Sequence, residues 1–151
     1  MVFLYKICEL NCWAFTKRYI NKKPIQFLKE GKMVKKKILV VDDETDIRNL
    51  VKEILVKDGF SVTTAVNGDD GLEKFKKVKP DLVILDVMMP GTPVRKIIPK
   101  LNNTKVIFLT VLRTSEAEKQ DILKMKNVRG FMQKPFDIDE LSALVKKVLA
   151  E

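Results

Sequence analysis

The sequence predicts an α/β fold in which a parallel sheet carries helices on both faces. Three observations lead there. Short continuous apolar runs, such as Ile38-Leu39-Val40-Val41 and Leu82-Val83-Ile84-Leu85, have the character of strands covered on both sides. From Met33 onward such runs alternate five times with segments of helical periodicity. The connections between them are short, which with right-handed crossovers gives repeated βα units.

Each element has a local reason. Lys37 to Val41 is the first expected strand. Thr45 to Lys57 sets Ile47, Leu50, Val51, Ile54 and Leu55 on one helical stripe, and Gly59 stands at the position that closes a helix in the left-handed conformation. Phe60 to Val66 reads as the second strand and leaves through Asn67-Gly68. A short helix follows with Leu72, Phe75 and Val78 inward, and Pro80 stops it. Leu82 to Leu85 is the third strand. Residues 93–101 make a weak third helix, compromised by Pro93 and Pro99. Val106 to Leu109 is the fourth strand, Ser115 to Met125 a polar fourth helix, and Gly130 to Gln133 a brief fifth strand. Leu141, Leu144, Val145, Val148 and Leu149 give the last helix a clean apolar face.

Composition narrows the function. The 151 residues amount to one domain with a little to spare. The formal charge is +9, but residues 1–32 hold seven Lys/Arg against two Glu, so the remainder carries a diffuse +4. That is an ordinary lysine-rich surface, and no direct nucleic-acid binding is expected. No window of about 18 apolar residues could span a bilayer, so no transmembrane segment is expected. Histidine is absent, which excludes histidine triads, imidazole bases, histidine-ligated zinc and a phosphohistidine on this chain. Cys8 and Cys12 lie outside the patterned region and are too few for a zinc site; the expected compartment is the cytoplasm. The expected division is an N-terminal extension of residues 1–32, disordered or upstream of the true start, followed by one domain over residues 33–151. The other reading of the extension is an amphipathic segment anchored on a membrane or partner by Trp13, Phe15 and Tyr19.

The chemistry concentrates at strand ends. Asp42-Asp43 ends the first strand and Asp86 the third, Thr110 ends the fourth, and Lys134-Pro135-Phe136 follows the fifth. In a parallel sheet all of these reach the carboxyl edge, where open α/β folds place their ligand sites. Three clustered acids repel one another unless a cation or proton sits among them, and their oxygens suit a hard divalent ion such as Mg²⁺. A lone aspartate after a strand is more often a helix cap, and a lone lysine is usually just solvated. The set in this order is a stronger signal than any member.

These residues resemble a response-regulator receiver domain, of the stand-alone chemotaxis or phosphorelay type. The resemblance rests on Ile38-Leu39-Val40-Val41-Asp42-Asp43-Glu44, Asp81-Leu82-Val83-Ile84-Leu85-Asp86-Val87-Met88-Met89-Pro90-Gly91, Phe108-Leu109-Thr110 and Lys134-Pro135-Phe136. It implies a flavodoxin-like, doubly wound, five-stranded parallel sheet of order 2-1-3-4-5. It implies that Asp86 takes a phosphoryl group from the phosphohistidine of a histidine kinase or phosphotransfer protein. Asp43 would bind Mg²⁺ directly, Asp42 through water, and the main-chain carbonyl of Met88 would complete the protein ligands. Lys134 and the Thr110 hydroxyl would each contact a phosphoryl oxygen, with a cis bond before Pro135. Phe131 would turn inward on phosphorylation and reshape the face of helix four, strand five and helix five for an unknown partner protein. Such a chain catalyses its own phosphorylation and dephosphorylation without turning over external substrates.

Three departures from the family pattern stand out. Val111 follows Thr110 where alanine or glycine is usual, and its branched side chain would crowd the route to Asp86. Met88 and Leu112 are apolar at the positions flanking the phosphoryl group, which would shield it from water. The stretch after Pro90-Gly91 is shortened, so the third helix is expected to be short and its flank of the cleft open. The alternative function is a phosphorylation-independent, receiver-like binding module. A haloacid-dehalogenase-type phosphatase would need a second acid where Met88 stands.

Overall fold

In the computed structural model, residues 35–110 and 124–151 are described. The strands are β1 (Lys37–Val41), β2 (Ser61–Ala65), β3 (Leu82–Leu85), β4 (Lys105–Thr110) and β5 (Val128–Gln133). Helices α1 (Thr45–Lys57), α2 (Gly68–Val78) and α3 (Val94–Ile97) follow the first three strands, and a C-terminal helix spans Ile138–Ala150. The strands pair in parallel in the order β2-β1-β3-β4-β5, the flavodoxin-like arrangement expected. The extension at residues 1–32, Val111, Leu112 and the expected fourth helix, apart from its last two residues, lie outside the described residues.

The apolar runs are continuous because both faces of the sheet are covered. Ile38, Val40, Leu82, Ile84, Ile107 and Leu109 pack on one side with Val51, Ile54 and Leu55 of α1 and with Leu141, Val145 and Val148 of the C-terminal helix. Leu39, Val41, Val83, Leu85, Val106 and Phe108 pack on the other with Ile97, Ile98 and Leu101, and Leu72 and Phe75 of α2 lie against them. Alternation along each strand divides the two sets.

Helix ends follow local chemistry. Gly59, with φ of +92°, closes α1 as expected, its N–H donating to the Val56 carbonyl at 3.0 Å. The Asn67 side chain caps α2 by accepting from the Asp70 N–H at 2.9 Å. The weak third helix is one turn, continued by a 3-10 turn over Ile98–Leu101 with Pro99 near its start. The buried Asn127 amide donates to the Ile98 and Asn102 carbonyls there, satisfying main-chain oxygens that the short helix leaves open.

The sequence reading differs from the structure in four places, one of them β4, which runs one residue beyond Val106 to Leu109 at each end. β2 is one residue shorter at each end than Phe60 to Val66, because five-residue β1 offers only five partners. β5 starts two residues before Gly130 and carries a register shift against β4: Val106 faces Val128 while Ile107 faces Gly130. The extra residue, Arg129, changes the parity of the strand, so Val128 and Met132 pack on opposite faces. Leu50, expected on the buried stripe of α1, is 39% exposed. The stripe is wider than the sheet covers, and α1 buries Val51, Ile54 and Leu55 instead.

Candidate functional site

Register builds the site. Val41 of β1 pairs with Leu85 of β3, so the next residues, Asp42 and Asp86, leave the sheet side by side. The Asp86 N–H donates to the Val41 carbonyl at 2.9 Å and the Asp42 N–H to the Ala65 carbonyl at 3.2 Å, which carries the pairing one residue past the strands. Both acids are therefore buried, with 1% and 3% of their surface exposed, while Asp43 points outward. A carboxylate oxygen from each of Asp42, Asp43 and Asp86 lies within 4.8 Å of the others.

Lys134 enters this cluster from the far end of β5, where Gln133 pairs with Thr110. Its ammonium donates to Asp42 Oδ2 at 2.7 Å, Asp86 Oδ2 at 2.8 Å and Glu44 Oε1 at 3.0 Å. The second oxygens are also held: Asp42 Oδ1 accepts from the Glu44 N–H and Asp86 Oδ1 from the Met88 N–H, both at 2.8 Å. The cation required among the acids is thus a side chain of the protein. Burial favours loss of the Lys134 proton, but its hydrogen bonds to three carboxylates outweigh this and hold its pKa well above that of a free lysine. Burial pushes the Asp42 pKa up, against the opposing pull of Lys134. The Lys134–Pro135 peptide is cis, and Pro135 is exposed.

The remaining expected residues fall as follows. Met88 is exposed and touches Asp86 through its N–H. Phe131 is half-buried on β5 against the cluster that holds Phe108. Thr110 is described by its backbone alone, at the end of β4. Two residues at the site were not singled out from sequence. Glu44 contacts Lys134 across 90 positions of chain, which no local pattern encodes. Arg48 donates to the carbonyls of both Asp42 and Asp43 at 2.8 Å, bracing the turn that presents them. Its place in the first turn of the helix that follows the acid pair was the available signal.

All donors here are oxygens, and the Asp43 carboxylate has no hydrogen-bond partner among the described residues. The set fits a hard divalent cation. Residues 38–146 match the response regulator receiver domain. The chain belongs to that family, the receivers of two-component systems. This receiver is 35% identical over 119 residues to sporulation initiation phosphotransferase F of Bacillus subtilis, covering 78% of this chain and 96% of the relative. It is 38% identical over 116 residues to the alkaline phosphatase synthesis transcriptional regulatory protein PhoP of the same species, covering 76% and 48%. It spans about half the length of PhoP and of the other transcriptional regulators it matches. Its fold superposes on response regulator TrrA of Thermotoga maritima, solved in complex with Mg(2+)-BeF, with a TM-score of 0.65 and 38% identity over 75% of this chain and 98% of that one. Among the described residues no helix is long and apolar enough to cross a membrane.

Proposed function

We propose that this receiver accepts a phosphoryl group on Asp86 from the phosphohistidine of a sensor histidine kinase or a phosphotransfer protein, in the cytoplasm. The observation that carries the reading is the Lys134 ammonium bridging the buried carboxylates of Asp42 and Asp86 beside an open Asp43. Phosphoryl transfer asks a protein chiefly for position and positive charge. An Asp86 oxygen bonds to phosphorus as the P–N bond breaks, and the imidazole nitrogen keeps the electron pair. Met88 N–H and Lys134 orient the nucleophile, and Lys134 would then donate to a phosphoryl oxygen.

Asp43, Asp86 and the Met88 carbonyl would hold Mg²⁺ directly. Asp42 would act through water, as the family resemblance implies. Once bound, the ion supplies charge that offsets the negative charge gathering on the phosphoryl oxygens. The Thr110 hydroxyl would take another phosphoryl oxygen, and inward rotation of Phe131 would pass the change to a partner protein. Labelling with a phosphohistidine donor and Mg²⁺ tests this: wild type takes the label and Asp86→Asn takes none. Undiminished labelling of Asp86→Asn would move the acceptor elsewhere.

A further inference from the structure

Glu44 stands at the N-cap of α1, yet its side chain makes no capping bond and turns back to Lys134. An ammonium has three N–H donors, and here Asp42, Asp86 and Glu44 take all three. A phosphoryl oxygen that needs Lys134 must therefore displace one of them. Freeing Asp42 would leave a buried carboxylate short of a partner, which is costly, and so would freeing Asp86 before it bonds to phosphorus. The Glu44 side chain is 57% exposed, so it returns to water at little cost.

We propose that Glu44 is a positioning residue that holds the third donor of Lys134 in the unphosphorylated receiver and yields it to the incoming phosphoryl oxygen. It thereby restrains phosphoryl binding at Asp86. The inference rests on the phosphoryl-site reading above and adds a competitor to it. Its consequence has a sign: loss of the contact frees Lys134 in advance and tightens binding of a phosphoryl mimic.

The test is titration of beryllofluoride, with Mg²⁺ present, into wild type, Glu44→Ala and Glu44→Asp. Glu44→Asp keeps the charge and supplies a favoured N-cap, but is one methylene too short to reach Lys134. Both variants should bind about twofold to fivefold tighter than wild type, the range of a mostly exposed ion pair. Equal or weaker binding by Glu44→Ala would overturn the proposal. So would a gain confined to Glu44→Ala, since charge and not the contact would then be acting. Failure of wild type to bind beryllofluoride would instead remove the phosphoryl-site reading itself.

Discussion

Strand β3 is bracketed by two aspartates five residues apart, and they have opposite surroundings. Asp81, at its amino end, accepts from the Lys37 N–H at 2.8 Å and the Lys36 ammonium at 3.1 Å, while its own N–H donates to the Lys37 carbonyl. Burial works against its ionised form, but those donors win and its pKa is lowered. Asp86, at the carboxyl end, shares one ammonium with Asp42 and Glu44, and the Asp43 carboxylate lies within 4.8 Å of its own. The first aspartate is a satisfied clamp that joins β1 to β3. The second belongs to a cluster with more negative than positive charge, and such a cluster suits a cation. Strand-end position alone does not make a site; the local ratio of acids to cations does.

That contrast can be broken most severely at Lys134. Lys134→Met leaves the buried Asp42 and Asp86 without their shared cation and should cost about 3–5 kcal/mol in metal-free buffer. Mg²⁺ should restore part of the loss, and thermal unfolding with and without the ion measures both. A variant as stable as wild type would mean that the acids do not depend on Lys134.

Mg²⁺ alone gives the next largest effect. Binding only the folded wild type, it should add about 1.4 kcal/mol at ten times its Kd, a rise of several degrees in melting temperature. Asp43→Ala should lose most of that rise, and Asp81→Asn should keep it. A melting temperature indifferent to Mg²⁺ would break the distinction between the two ends of β3.

The smallest effect belongs to the clamp. Asp81→Asn should cost about 0.5–1 kcal/mol at neutral pH, through weakened bonds to Lys36 and Lys37. Because the folded-state pKa is lowered, this stabilisation is present above about pH 4 and fades as the pH falls through the folded value. The difference between variant and wild type should therefore shrink below about pH 4. A constant difference would assign it to packing.

Most of the fold was legible because both faces of the sheet are covered, so each inner strand is an uninterrupted apolar run. The two prolines gave the short third helix for a local reason, their missing N–H groups. The shift at Arg129 was hidden because it exists only in the pairing of two strands. Leu50 misled because periodicity shows which side chains share a stripe and not how much of that stripe the sheet reaches. At the site, Asp42, Asp43, Asp86 and Lys134 were visible as strand-end residues. Glu44 was masked by its place at a helix start, where an acid already has a local explanation.

The central claim is that the crowded end of β3 is where phosphorus arrives. Mass mapping of the receiver after incubation with acetyl phosphate and Mg²⁺ tests it most directly, with Asp81 in the same strand as an internal control. The account predicts the modification on Asp86, none on Asp81, and its disappearance when a chelator is present. A phosphoryl group on any other residue, or on Asp86 at an undiminished level without divalent metal, would contradict it.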